Sequence, residues 1–518
     1  MKNPSTRFLL LFGLLAALLL ALAAVRPLSV PDEGRYGEIG RWMLVSGDWL
    51  IPRLDGLPLF HKPPLTHWLQ AVSMLVFGVS PWAVRLPTVL LALLMVAGLY
   101  VAARRLLGQA VAWLAALMLA ASMAVLLGGQ YVNHDMGVAA WIATSIWCFA
   151  LALLHEGPRP HAGWARAGFA ASALGVLTKG LIGLALPGLV LFIWVSWTRQ
   201  WRKVPRLPWI SGLALWVLIA VPWFVLAARD YPGLWEYLFG VQQFTRYTGS
   251  GFNNQQPWWF YLAGILLLLA PWSFFAVYEG FAQTGKKQNA PEKIASQTTA
   301  LAWIWLGAIV LFFSIPRSKL IGYVLPVVPP LALLAALGWR RAMAGRRHAG
   351  RWLAALALLP IGVAVALTLA MVFLHQERSR LAGDVARQLA CRAGPDDTLY
   401  AVGGYPFDLP FIAGTRQPMV VVDDWLSLRA HAGDTWKREL FEAGDFEPAL
   451  AARLLRTPDV LPAAARAPNN WLIARRDPEA RQFPLTGWQL VFEGAGWNLY
   501  RSAGQGQTAD RPTPAGCG

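Results

Sequence analysis

The chain has 518 residues, of which 56% are hydrophobic and only 14% charged, with 27 tryptophans and a mean hydropathy of +0.44. A soluble domain averages about 25% charged residues, so this composition excludes an ordinary soluble protein and fits an integral membrane protein with aromatic belts. The formal net charge of +17 lies largely in short loops between apolar runs, where it sets topology and meets anionic lipid rather than nucleic acid. The three cysteines, Cys148, Cys391 and Cys517, suggest neither a disulfide framework nor a metal-binding spacing.

The first apolar run, Phe8 to Val25, is long enough to cross a bilayer. An Ala-Leu-Ala near position 22 imitates a signal-peptide cleavage site, but the run is long for that purpose and reads as a retained helix. Spans need about 20 apolar residues. The candidates are 8–26, 84–103, 109–129, 136–154, 165–179, 181–197, 208–228, 257–278, 299–315, 321–338 and 352–374, eleven in all. The run from Leu65 to Gly78 has only 14 residues and predicts an interfacial or re-entrant helix.

Loop charge fixes the expected topology. Alternate loops carry Lys2/Arg7, Arg104/Arg105, Arg159/Arg166, Arg199 to Arg206, Lys286/Lys287/Lys293 and Arg340 to Arg351. All of these fall on one side, the cytoplasmic one by the positive-inside rule, if the 65–78 run does not cross. The other polar stretches then face outward: the first loop 27–83, residues 130–135, the surroundings of Lys179, 229–256, 316–320 and everything beyond 375. Their charges are sparse and sit beside apolar spans: Asp32, Glu33, Arg35, His61, Lys62, Arg85, His134, Asp135, Lys179, Arg246, Arg317 and Lys319. Ionisable residues at membrane depth are costly and mark function. From His375 the pattern changes to a charged helical stretch, ERSRLAGDVARQLACRAG, then short β-like runs, TLYAVGG, PMVVVDD, NWLIARR, WQLVFEG and WNLYRS. The domain reading is a transmembrane domain 1–375 that includes the first loop, an outward α/β domain 376–502, and a polar, disordered tail 503–518.

The chemistry concentrates in PDEGRYGEIGRWMLVSGDWLIPRLDGLPLFHKPP, Pro31 to Pro64, which opens with paired carboxylates, continues with Arg35 and Tyr36, and closes on His61 and Lys62. Cations suit an anionic group, and phosphate is the abundant anion at a bilayer surface. Carboxylates among them serve as a general base or as metal ligands. Together they predict a transferase with a lipid-linked phosphate donor. A transporter is the alternative, with charges at the midplane on broken helices. Blander roles exist for single residues. Asp32 can cap a helix at Gly34–Ser46, Glu33 can favour a helix N-terminus, Asp135 can cap the next span, and Lys179 can snorkel. Lys319 and Tyr323 are one helical turn apart and are expected to face one cavity. His67 and His134 read as structural.

A resemblance rests on PDEGRYGEI, WLIPRLDGLPLFHKPPLTHWL, WAVRLP, NHDM, LTKGLIGLALPGLV, RYTGSGFNNQQPWWFY and IPRSKLIGYVLPVVPPLALL. Residues 7–375 resemble membrane glycosyltransferases of the GT-C type, most closely the 4-amino-4-deoxy-L-arabinose lipid A transferases, relatives of protein O-mannosyltransferases. The resemblance implies an α-helical polytopic fold, a polyprenyl-phosphate sugar donor, inverting transfer on the periplasmic face of the bacterial inner membrane, and a lipid A phosphate acceptor. A hydroxyl acceptor, as in the O-mannosyltransferases, is the alternative. By position, Asp32 and Asp135 match the family's first-loop and second-loop acids. Arg35 and Lys62 match its phosphate contacts, Lys179 its TKG lysine, and Tyr323 the tyrosine after the KL motif at Lys319. Arg85, Arg246 and Tyr36 join these as expected substrate contacts, and Glu33 joins Asp32 and Asp135 as an expected catalytic acid. The family's metal position before the KPP lysine is usually Glu and is His61 here, and its later histidine aligns with Asn254. A divalent metal ion is thus implied at His61 and Asn254; no organic cofactor is.

Overall fold

The computed structural model describes residues 4–245, 254–283, 293–373, 381–431, 433, 435–476 and 483–504. Among them, seven helices are long and apolar enough to cross a membrane: Phe8–Val25, Pro81–Leu106, His134–Leu153, Trp209–Asp230, Lys293–Ser314, Ile321–Ala342 and Ala349–Phe373. An eighth arises if Phe260–Leu268 and Ser273–Ala282, bent by 110° at their break, form one span. The break contains Pro271, which cannot continue a helical ladder. Three further expected spans form helices outside that set. The 109–129 run divides into Gln109–Ala120 and Met123–Gly128, the second capped by the Ser122 side chain on the Val125 amide. The 165–179 and 181–197 runs form Ala162–Lys179 and Ile182–Thr198. Leu65–Phe77 is a short helix of 13 residues, as its length predicts.

The described residues divide into two compact units. The first comprises Met1–Val25, Lys62–Thr66 and Arg85–Thr368. Its centre is the helix His134–Leu153, almost entirely buried, beside the antiparallel helix Ala162–Lys179. The peripheral spans instead turn apolar side chains outward, with Ile210, Leu218 and Leu311 largely exposed. Such faces suit lipid, where no hydrophobic cost attends their exposure. The chain is a multi-pass membrane protein.

The second unit joins Arg26–His61 and His67–Val84 to the chain from Leu369 onward. The first loop therefore packs with the C-terminal part, whereas the sequence reading grouped it with the spans. Its helix is Asp32–Ser46, ended by Gly47 at φ +73°. A hairpin of β1 (Arg53–Leu54) and β2 (Leu57–Pro58) follows, turned by Asp55 and Gly56 at φ +52° and +78°, the Asp-Gly chemistry of a two-residue hairpin.

The C-terminal segment builds a six-stranded sheet of order β5-β4-β3-β6-β8-β7. Its strands are β3 (Thr398–Val402), β4 (Val420–Val422), β5 (Leu455–Arg456), β6 (Asn470–Arg475), β7 (Trp488–Glu493) and β8 (Trp497–Ser502). β3 pairs parallel with β4 and β6, and β8 pairs antiparallel with β6 and β7. Five of the six strands fall in the five β-like runs; β5, of two residues, gave no signal. The period-2 alternation of strands sorts side chains to two faces. Leu399, Val421, Trp471, Ile473 and Leu499 share a core with Ile39, Leu54, Leu57 and Leu59 of the first loop. Val402, Val422, Leu472 and Trp488 pack on Leu461 and Ala464 on the other face. Cys148 is buried and free, whereas Cys391 is disulfide-bonded, a link the cysteine spacing did not signal. The expected tail 503–518 lies, from 505 on, outside the described residues.

Candidate active site

Two groups of side chains, one in each unit, collect most of the expected residues. The first arises where two antiparallel helices place a beginning beside an end. Asn133 caps His134–Leu153, its side chain accepting from the Asp135 and Met136 amides at 3.0 and 3.4 Å. Asp135 is thus not the cap; it lies in the first turn, where a negative charge is favoured. Helix Ala162–Lys179 ends because Gly180 takes φ +81°, which leaves Lys179 in the last turn, where a positive charge is favoured. Lys179 donates to Asp135 in an ion pair largely removed from solvent. Its Nζ lies 4.4 Å from the centroid of the Tyr323 ring. The pair is roofed by backbone: a Cβ on Gly322 would come within 2.2 Å of Asp135 Oδ2.

Other expected contacts of this unit go elsewhere. Lys319 is buried, and its Nζ donates to the carbonyls of Pro316 and Gln256, at 2.5 and 3.1 Å. It precedes the 3-10 turn Ile321–Val327 instead of sharing a helix with Tyr323, so the two do not face one cavity as a helical pair. Arg85 is fully buried and donates to the Ala23 carbonyl at 2.6 Å. Lys62 is half-buried. Asn254 is exposed, at φ +64°, and Arg246 lies outside the described residues.

The second group belongs to the first loop and the C-terminal segment. Asp32 and Glu33 both lie in the first turn of Asp32–Ser46, and the N-cap position is Pro31, so the capping role expected of Asp32 is not the one it has. Glu33 is fully buried, accepts from both terminal nitrogens of Arg26 and takes the Ser29 amide at 2.9 Å. This is a structural ion pair, in contrast to the catalytic acid expected at that position. Asp32 is 36% exposed and accepts from Arg35 at 3.0 Å. Arg35 is buried and also donates to Glu439. Its guanidinium lies against two rings, Tyr36 at 4.3 Å and Trp436 at 4.0 Å. His61 Nδ1 is 3.3 Å from Glu439 and its Nε2 is 3.8 Å from Glu442. Burial raises the Glu439 carboxyl, but Arg35 and then His61 outweigh it and hold the group down to about 2. Burial likewise works against the Arg35 charge, and Glu439, Tyr36 and Asp32 reverse that, raising its pKa above the ordinary arginine value. His67 and His134 are buried, as expected.

These contacts do not fit a metal at His61 and Asn254. The two glutamates bracket the imidazole at opposite ring nitrogens instead of converging with it on a point. Among the described residues no group of three or more His, Cys, Asp or Glu side chains is arranged to hold a metal ion. Glu439, Glu442 and Trp436 were missed by sequence reasoning. They lie some 400 residues from their partners, and no local pattern announces such a contact.

Comparison with known proteins adds to this geometry. Residues 5–238 match the family described as dolichyl-phosphate-mannose-protein mannosyltransferase. The chain is 33% identical over 307 residues to an undecaprenyl phosphate-α-4-amino-4-deoxy-L-arabinose arabinosyl transferase of Pseudomonas aeruginosa strain UCBPP-PA14, covering 59% of this chain and 54% of that one. A second relative of that description, from Pseudomonas fluorescens strain Pf0-1, is 32% identical over 374 residues, 71% of this chain and 66% of the relative. The match thus spans about half the length of the Pseudomonas aeruginosa relative. The crystal structure of ArnT from Cupriavidus metallidurans bound to undecaprenyl phosphate superposes with a TM-score of 0.80 at 26% identity, over 97% of this chain and all of the other. The oligosaccharyltransferase of Archaeoglobus fulgidus, at 13% identity and a TM-score of 0.50, shares the fold alone. By sequence and by fold, the chain belongs to the ArnT-like family of GT-C type glycosyltransferases.

Proposed function

We propose that this chain moves a sugar from a polyprenyl-phosphate donor to lipid A or a related acceptor at the outer face of the bacterial inner membrane. The observation that carries the reading is the full-length likeness to ArnT, a protein solved with undecaprenyl phosphate, in a chain that pairs an acid with a cation on its first-loop helix and again where two helices of the transmembrane unit begin and end. In the transfer, the bond from the anomeric carbon to the donor phosphate oxygen breaks and one to an acceptor oxygen forms on the opposite face. The leaving lipid phosphate takes the electron pair, so its growing charge is what the protein must offset. Lys62 and Lys179 are the cations assigned to that charge, with Asp135 and the Tyr323 ring holding Lys179 in place. Arg35 and Asp32 act as an oriented pair. A phosphate acceptor is already anionic and needs no base, so Asp32 then orients the sugar. A hydroxyl acceptor needs a base, and Asp32, the more exposed member of its group, takes the proton.

The family match over residues 5–238 favours a second reading, transfer to protein hydroxyls. Mass spectrometry of lipid A, glycans and periplasmic proteins from cells with and without the chain separates the two: a sugar-sized mass gain on lipid A supports the first, and one on proteins alone replaces it. The outward orientation is supported by the one-sided basic loops. A phosphatase fused at residue 380 is expected to be active and one at 290 inactive; the reverse pattern moves the chemistry to the cytoplasm.

A further inference from the structure

We propose that the helix Trp436–Gly444 of the C-terminal segment is a working part of the first-loop group, with Glu439 a positioning residue that fixes Arg35 and, through it, Asp32. The inference rests on the reading that Arg35 and Asp32 serve the transfer. A buried guanidinium is tolerable only when its charge and its N–H donors are matched. In the first loop Arg35 has one carboxylate, Asp32, and one ring, Tyr36. Its second carboxylate and its second ring, Glu439 and Trp436, both come from this helix. They are three residues apart, hence neighbours on one helix face.

The same spacing recurs one step on. Glu439 and Glu442 reach the two nitrogens of His61, so one carboxylate, Glu439, ties the beginning of the first-loop motif to its end. His61 directly precedes Lys62 in sequence. The helix is itself anchored, with Leu440, Phe441 and Ala443 in the core shared with the first loop. Among the described residues, the buried Arg35 Nε–H has no hydrogen-bond partner, so its direction depends on how the guanidinium is held. Removing the Glu439 charge leaves Asp32 to satisfy the guanidinium alone. Asp32 is then drawn onto Arg35 and away from its substrate.

The test uses full-length protein in detergent or nanodiscs. Two readouts are taken: transfer from a purified polyprenyl-phosphate sugar at varied donor concentration, and phenylglyoxal modification of Arg35 followed by peptide mass spectrometry. Glu439→Gln is expected to lower transfer at saturating donor at least tenfold and to make Arg35 reactive, with Glu439→Asp recovering part of both. Asp445→Asn, which breaks an exposed ion pair with Arg429 in the same segment, is expected to change neither. In an Arg35→Lys background, Glu439→Gln is expected to add little further loss; losses that multiply overturn the proposal. Wild-type transfer by Glu439→Gln, or an Arg35 that stays protected in it, also overturns it. If the wild-type chain transfers no sugar from this donor, the proposed function fails, and Arg35 protection still decides the contact. Should Glu439→Gln not accumulate in the membrane, Trp436→Leu tests the same grip from the ring side, with the same outcomes.

Discussion

Replacing Gly322 with alanine puts a methyl group where the Asp135 carboxylate now lies. The added carbon would stand 2.2 Å from Asp135 Oδ2, 2.8 Å from Cγ and 3.1 Å from Cβ, so the carboxylate must swing aside. Asp135 and Lys179 are only 15% and 11% exposed, so neither finds water easily as a substitute partner. Overfilling a packed site costs about 1–3 kcal/mol, and loss of a charge-assisted hydrogen bond about 1.5–3 kcal/mol. At about 1.4 kcal/mol per factor of ten, the step served by Lys179 should slow by roughly ten- to a hundredfold. Transfer is measured against donor concentration in Gly322→Ala and again in an Asp135→Ala background. With no carboxylate to displace, the methyl should add little there. Wild-type transfer by Gly322→Ala, or an equal further loss in the Asp135→Ala background, refutes the idea that the glycine serves the ion pair.

Asp32→Asn should lower transfer by about 10²-fold or more, the usual loss of an acid–base group, while the protein still reaches the membrane; near-normal transfer would leave Asp32 as only a partner for Arg35. Lys62→Met should weaken donor dependence by the roughly tenfold to hundredfold of a lost charge-assisted contact, and Lys62→Arg should fall between; an unchanged donor curve would make Lys62 an interfacial snorkel. Asp55 offers a pH test. It is buried, accepts from the Met419 amide at 2.8 Å, and is raised from 3.8 to about 8 by burial first and then by Glu38, against the hydrogen bond from the Met419 amide. Because the folded state holds the proton more tightly, its stabilising contribution is complete below about pH 4 and declines by about 1.4 kcal/mol per unit as pH rises towards 8. Asp55→Asn keeps the acceptor and suits the left-handed turn, so it should flatten that decline. Hydrogen exchange of residues 53–58 and 418–422 at pH 5 to 9, corrected for intrinsic rates, reads the effect; an undiminished slope would place the pH dependence elsewhere.

Much of this was legible in the chain itself, for physical reasons that can be named. Strands buried on both faces read as short apolar runs between turns, so NWLIARR and WNLYRS marked their strands to within a residue. The first-loop helix was visible but started two residues too late, because Asp32 looked like a cap and lies instead in the first turn. Apolar length alone does not reveal a break, so the runs at 109–129 and 257–278 appeared continuous although Ser122 and Pro271 interrupt them. Among the site residues, Asp135, Lys179 and Tyr323 were each singled out, but their meeting was not, because it depends on two helices lying end beside beginning. The pairing of Glu33 with Arg26 was not legible, because Arg26 precedes the first-loop helix and shares no helical spacing with it. Glu439 was invisible because a contact across some 400 residues leaves no periodic trace.

The core that Ile39, Leu54, Leu57 and Leu59 share with Leu399, Trp471 and Leu499 has a consequence for how the molecule is made. The loop leaves the ribosome early, yet the side chains that cover its apolar face follow only after the membrane helices that lie between them in the chain. Such pairing between distant parts of a chain is slow to form, because its ends must meet before any contact repays the ordering. Until then the loop waits with greasy side chains uncovered, in the condition that invites aggregation or capture by a chaperone. Assembly of this unit is therefore timed by synthesis of the C-terminal segment. A ribosome that stops short of β3 to β8 yields a polypeptide whose first-loop acids and cations are unsupported.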